Sequence, residues 1–241
     1  MKPIMTIDDL DDFEDENSEM LTESTMENNC LVIFSPESKS HGTGFLIDSD
    51  GTFLSAGHVF KNTSVEHCVY YKGNKYDYET ILIEYTDNDA YLCDSKLCKD
   101  LFVGRLLDFH DDAFDSSFCL GDSSALNIGT FLFTAGYKRV RANYMESLQV
   151  IDGVLMHCHE QPFLLCSPEN IFARDENRKL DVRLGMKNVK ALDIPCVGIW
   201  QGLSGGPVFL DKEIYGVLIA DMFITAEYIK SNLLDRCKTS S

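Results

Sequence analysis

The sequence predicts an all-β protein, and three observations carry that expectation. Nine short runs rich in β-branched and aromatic residues recur along the chain. Gly, Asp, Ser and Asn turn signals separate them, and helical periodicity is confined to one stretch near the C-terminus. With 44% of its 241 residues hydrophobic, the chain can bury a real core. Short strands at this spacing suit a barrel or a sandwich.

Taken in order, the runs are "CLVIFS" at 30–35, "GTGFLID" at 42–48, "TFLSAG" at 52–57, "HCVYYKG" at 67–73 and "YETILIEY" at 78–85. "LFVGRLL" at 101–107, "FLFTAG" at 131–136, "LQVIDGVLM" at 148–156 and "EIYGVLIAD" at 213–221 follow. "DSDG" at 48–51 and "YKGNKY" at 71–76 have the composition of hairpin tips. The final element, "ITAEYIKSNLLDRC", puts Ile224, Tyr228 and Leu233 roughly on one face and predicts a helix over about 224–236. The charged stretch "RDENRKLDVR" within 166–195 reads as a surface loop.

Charge is distributed unevenly. The net charge is −18, and residues 1–29 hold ten acids against one lysine, so half of the excess lies in this leader. The leader lacks the basic start and apolar run of a signal peptide, and its composition suits a solvated tail. No stretch is long and apolar enough to span a membrane, since "IYGVLIADMFITA" is short and interrupted by Asp221. Nine scattered cysteines, odd in number and without an export signal, read as reduced thiols in a cytosolic protein. The acidic balance argues against nucleic acid and anionic membranes as partners.

Chemistry concentrates in two places. "GLSGGPVF" at 202–209 packs three glycines and a proline into six residues, a sharp bend with Ser204 at its crest. Of the six histidines, only His58 stands in a distinctive setting, where two small-residue strands run into "LSAGHV". The G-x-S-x-G pattern also fits the elbow of α/β-hydrolases, but that fold places its histidine after the serine. Here the last histidine, His159, precedes Ser204. A subtilisin-like order needs an aspartate before the histidine, and only the leader and the "DSDG" tip offer one. The order left is histidine, aspartate, serine.

"GTGFLI", "LSAGHV", "GLSGGPVF" and "IYGVLIA", in that order, resemble the trypsin/chymotrypsin-fold serine proteases, and within them the HtrA-like branch. "LGDSSALNIGTFLFTAGYK" at 120–138 is similar to the segment entering that family's second barrel. The resemblance spans residues 31 to about 222. It implies two six-stranded antiparallel β-barrels, about 30–122 and 123–223, followed by the short helix. It also implies a serine endopeptidase with no cofactor and no metal, acting on a protein or peptide substrate. Ser204 would be the nucleophile, His58 its base, and the backbone N–H groups of Gly202 and Ser204 the oxyanion hole.

The resemblance further requires an aspartate at the start of a first-barrel strand. Asp89 in "YTDNDAYLCD" is the favoured choice, because it follows a hairpin similar to the family's and has Leu92 three residues on. Asp100 in "KDLFVGRLLD" imitates the family's Asp-Leu-Ala-Val pattern. Asp115 in "DSSFCL" leaves only 14 residues to Gly129 for a strand and a crossing between barrels.

Two departures from the secreted trypsins bear on regulation. Leu203 stands where they carry the aspartate that pairs with a newly cut N-terminal amine, and Gly57 and Val59 flank His58 where they carry a clamping cysteine. An active site that forms without a zymogen cut is therefore expected. With 37 residues after Ser204, no PDZ domain is expected. Restraint would then fall to a narrow substrate or a regulatory partner, with the leader as a candidate docking tail. "PCVGIWQ" and "GVLIA" lean towards an apolar or small side chain at the cut, whereas Asp221 or Asp193 would favour a basic one.

Two other readings compete. "HCHE" at 157–160 and "CDSKLC" at 93–98 contain zinc-ligand types, but their spacing supplies no second clean pair, and no metal is expected. A protease fold kept as a binding module, without turnover, would follow if no carboxylate orients His58.

Overall fold

The computed structural model describes residues 28–37, 41–85, 99–111, 114–127, 130–141, 144–156, 189–193, 202–219 and 222–239. Fourteen strands and one α-helix form among them. Seven strands belong to a first sheet: β1 (Cys30–Phe34), β2 (His41–Leu46), β3 (Thr52–Ser55), β4 (Cys68–Tyr71), β5 (Asn74–Tyr76), β6 (Tyr78–Tyr85) and β7 (Asp100–Leu106). Their order across the sheet is β5-β4-β1-β2-β3-β7-β6.

The second sheet comprises β8 (Cys119–Leu120), β9 (Phe131–Arg141), β10 (Tyr144–Met156), β11 (Val189–Asp193), β12 (Pro207–Leu210), β13 (Glu213–Leu218) and β14 (Met222–Thr225). Its order is β12-β9-β10-β11-β14-β13-β8, and an added β12–β13 pairing closes six of these strands into a ring. Closure removes the exposed edges that a long open sheet would present. The mostly-β architecture with curled sheets and one terminal helix agrees with the fold class read from the sequence.

Both hairpin tips form for the reasons their residues suggest. Tyr71 pairs with Asn74, so Lys72 and Gly73 make a two-residue turn, with φ of 47° and 79°. Such a turn needs positive φ at both centres, which glycine provides freely and lysine only at a cost. At the "DSDG" tip, Asp48 Oδ1 accepts N–H bonds from Asp50 and Thr52 at 3.0 and 2.9 Å, an Asx-type closure.

The helix begins later than its periodicity suggested. Ile224 pairs with both Val189 and Val217, and Thr225 with Gly216, so these β-branched residues finish β14 instead. Helix α1 (Ala226–Thr239) follows. Its start is clasped to the segment joining β8 and β9 of the second sheet: Ser123 Oγ donates to Glu227 Oε2 at 2.7 Å, and Lys230 Nζ donates to the Gly121 carbonyl at 2.8 Å.

Among the described residues, two buried clusters fill the interior. The larger includes Phe45, Phe53, Phe60, Phe102 and Val103 and continues to Phe209 and Ile224. Phe60 stacks on Phe102 with centroids 3.7 Å apart and planes at 11°, and Tyr78 meets both edge-on. This aromatic floor lies directly after residue 59 and seats the turn that carries His58.

Candidate active site

His58 occupies a single 3-10 turn, Gly57–Val59, immediately after β3. The turn is wedged against the end of the β6–β7 ladder. A side chain at Gly57 would put its Cβ 2.1 Å from the Glu84 carbonyl oxygen, so only glycine fits this close backbone approach. Val59 and Phe60 are buried beneath it, leaving the His58 side chain as the partly exposed group, at 32%.

Asp100 is the first residue of β7, opposite Tyr85 in the ladder, and its side chain is 6% exposed. Its carboxylate engages His58 twice. Oδ1 accepts the backbone N–H of His58 at 2.7 Å, and Oδ2 lies 2.9 Å from Nδ1. A carboxylate can only accept here, so in the neutral imidazole it is Nδ1 that carries the proton and Nε2 that keeps its lone pair. That tautomer suits a general base.

The carboxylate on Nδ1 is thus Asp100, ranked behind Asp89 in the sequence reading; Asp89 lies outside the described residues. The reason is one of register: the pairing of Glu84 with Leu101 and Tyr85 with Asp100 brings Asp100 beside the Gly57 turn. Asp115 is committed elsewhere. Its carboxyl accepts the Ser117 N–H at 2.9 Å, and its backbone is bound by the Asn29 side chain. Hydrogen bonding from Ser117, with Lys212 nearby, holds that carboxyl below the usual range.

Ser204 lies in the loop that precedes β12. Gly202 and Gly205 adopt φ of 106° and 92°, a region that side-chain-bearing residues rarely enter. Gly205 is excluded from having a side chain on a second count, because a Cβ would fall 2.1 Å from the Thr43 carbonyl oxygen. Between them Leu203 is 2% exposed and packs with Leu132, Val208, Tyr215, Leu218 and Phe223. Gly205 N–H donates to Leu218 at 2.8 Å and Gly206 N–H to Leu203 at 2.9 Å. Among the described residues, the N–H groups of Gly202 and Ser204 donate to no backbone carbonyl.

Strand β2 joins the two halves. Thr43 N–H donates to the Ser204 carbonyl at 2.9 Å. A Cβ on Gly42 would lie 2.6 Å from both Val59 methyls and 3.2 Å from the Ser204 carbonyl oxygen. Gly42 therefore stands between the histidine turn and the serine loop, and its lack of a side chain lets them converge. A cavity of about 320 Å³, lined in part by Phe34, His41, Tyr70 and Tyr137, begins at the neighbouring residue.

Two residues of this arrangement escaped the sequence reading, Thr43 and Ser55. Ser55 Oγ donates to the Thr43 carbonyl at 2.7 Å, and Thr43 Oγ1 donates to the Gly202 carbonyl at 2.8 Å. The available signal was a small hydroxyl residue between two glycines in "GTGF" and another just before "AGH". "HCHE", "CDSKLC", Asp221 and all of "PCVGIWQ" fall outside the described residues.

Two curled β-sheets and a terminal helix define a protein of the chymotrypsin-like fold, in which the turn carrying the histidine–aspartate pair and the glycine-framed serine loop both pack against Gly42. Residues 42–220 match the family model of the trypsin-like peptidase domain, and the chain belongs to that family of serine proteases. Solved structures agree in architecture. Deg5 superposes with a TM-score of 0.58 at 17% identity, over 91% of this chain and 94% of its own. The inactive mutant form of Rv3671c from M. tuberculosis H37Rv gives 0.57 at 16%, over 98% of each chain. The active form of the Rv3671c protease gives 0.53 at 15%, over 88% of this chain and 82% of its own. No curated protein is matched by the sequence.

Proposed function

We propose that this protein is a serine endopeptidase in which Ser204, His58 and Asp100 form the catalytic triad. The observation that carries the reading is the paired contact of Asp100 with the backbone N–H and Nδ1 of His58, at 2.7 and 2.9 Å. Ser204 Oγ attacks the carbonyl carbon of a peptide bond while His58 Nε2 takes its proton. The oxyanion that forms is bound by the N–H groups of Gly202 and Ser204, and such a donor contributes about 3–4 kcal/mol to lowering the barrier. His58 then protonates the leaving amine, the C–N bond breaks, and an acyl-enzyme on Ser204 remains. Water, deprotonated by the same imidazole, hydrolyses that ester and returns Ser204 to its resting state. Asp100 fixes the tautomer and stabilises the imidazolium without taking the proton itself.

The site forms without zymogen cleavage. Leu203 offers no charge for a new N-terminal amine, and its burial in an apolar cluster supplies the anchor that an ion pair would otherwise give. The two barrels divide at about residue 122, and the cleft between them receives an extended peptide. The setting is cytosolic: the nine cysteines, odd in number and scattered along the chain, suit thiols kept reduced. A regulatory partner, recruited through the acidic leader, restrains the enzyme.

Labelling with a fluorophosphonate tests the triad, because only an activated serine reacts. Wild type and Asp89→Asn should label rapidly, Ser204→Ala and His58→Ala should not label, and Asp100→Asn should label slowly. Equal labelling of Asp100→Asn and wild type would remove Asp100 from the triad.

A further inference from the structure

We propose that Thr43 is a positioning residue for this reaction: its buried hydroxyl, supplied by the first sheet, holds the Gly202 peptide so that the loop's N–H groups stay aimed at the oxyanion. The inference rests on the oxyanion role given above to Gly202 and Ser204.

Thr43 is fully buried and uses every hydrogen-bonding group it has. Its N–H donates to the Ser204 carbonyl at 2.9 Å, and its carbonyl accepts from Ser55 Oγ at 2.7 Å. Its hydroxyl accepts the Tyr137 N–H at 2.9 Å and donates to the Gly202 carbonyl at 2.8 Å. A hydroxyl has one proton to give, so the bond received from Tyr137 leaves that proton for Gly202 alone. One residue thereby ties together β2, β9 and both ends of the Gly202–Ser204 segment.

The neighbouring glycines fit the same purpose. A Cβ on Gly136 would stand 2.6 Å from Thr43 Oγ1 and 2.9 Å from a Leu203 methyl, so β9 approaches the hydroxyl only because residue 136 has no side chain. Gly202 itself, at φ 106°, belongs to a residue type with little steric resistance to peptide rotation. Holding its carbonyl fixes the Gly202–Leu203 peptide. Holding the Ser204 carbonyl fixes the far end of the same segment. A buried hydroxyl kept merely to fill space would be a poor choice, since a methyl fills the same volume without the desolvation cost.

The test compares Thr43→Val and Thr43→Ser with wild type. Fluorophosphonate inactivation is followed over a range of probe concentrations, and amide hydrogen exchange of Gly205 and Gly206 is measured by NMR. Thr43→Val should lower the limiting inactivation rate about 10- to 100-fold, the scale of a slightly misplaced reacting group, with the probe's half-saturation unchanged. Gly205 and Gly206 should exchange about 10-fold faster or more, while Phe45 and Val103 keep wild-type protection. Thr43→Ser should restore labelling to within about threefold of wild type. If Thr43→Val fails to fold, Thr43→Cys, a small side chain with only a weak S–H donor, should show the same slowing.

A folded Thr43→Val or Thr43→Cys with wild-type labelling and exchange overturns the proposal, as does a Thr43→Ser slowed as much as Thr43→Val. Failure of the wild type to label would instead refute the proposed protease activity. The exchange comparison would still decide whether the Thr43 hydroxyl holds the loop, with unchanged exchange in Thr43→Val overturning it.

Discussion

The phenol of Tyr228 in α1 donates to Glu84 Oε2 in β6 at 2.7 Å. Glu84 is also the residue whose carbonyl oxygen lies against Gly57, at the foot of the histidine turn. The C-terminal helix, sequence-distant and clasped to the second sheet, therefore grips the strand on which the His58 turn rests.

Removing that grip should cost stability. Tyr228→Phe deletes a hydrogen bond to a carboxylate at a half-buried site and is expected to destabilise the fold by roughly 1–2 kcal/mol. Urea unfolding would measure it. A midpoint equal to wild type would mean the bond contributes nothing net.

Asp100→Asn should keep the backbone contact, because the amide oxygen can still accept the His58 N–H. It should lose the correct tautomer at Nδ1. Turnover of a peptide substrate is expected to fall by about four orders of magnitude with little change in unfolding midpoint. Asp89→Asn should change neither, and a comparable loss in that variant would transfer the role.

Gly57→Ala drives a methyl to within 2.1 Å of a backbone oxygen, which cannot swing aside as a flexible side chain would. Destabilisation of about 3 kcal/mol is expected, at the upper end for overpacking. Gly73→Ala, whose Cβ meets nothing within 4 Å but whose φ is 79°, should cost less, near 1 kcal/mol from backbone strain. Equal losses at the two positions would show that space around Gly57 is not the limiting factor.

His67 gives the fold an acid-sensitive point beside the site. Burial pushes its imidazole below the ordinary value of 6.5, against the opposing effect of hydrogen bonds with the Val59 and Val65 backbones, and its ring lies 5.0 Å from that of Phe60. With the folded pKa depressed, the unfolded chain binds more protons between the two pKa values. Stability therefore rises with pH across that window. It should fall as pH drops below about 6.5 and level off once the folded-state pKa is passed. His67→Gln should flatten this dependence between pH 5 and 7 in urea titrations, and an unaltered slope would acquit His67.

Much of this architecture was legible because its causes are local. Short runs of β-branched and aromatic residues mark the strands, Lys72-Gly73 marks a two-residue turn, and the glycines around Ser204 mark a bend that other residues could not make. Periodicity alone starts α1 two residues early, because Ile224 and Thr225 satisfy a helical face and a strand equally well. Only their partners Val189, Val217 and Gly216 decide between the two.

The sequence by itself determined the order of histidine before serine, the glycine frame of the Ser204 loop and the all-β class, since each depends on residue type and short spacing. The tertiary structure decided which carboxylate meets His58 and what the Thr43 hydroxyl holds. Asp100 reaches Nδ1 through the register of β6 on β7, and Thr43 reaches Tyr137 and Gly202 across 94 and 159 residues of chain. Register and long-range approach are properties of how whole sheets pack, and no local pattern encodes a partner that distant.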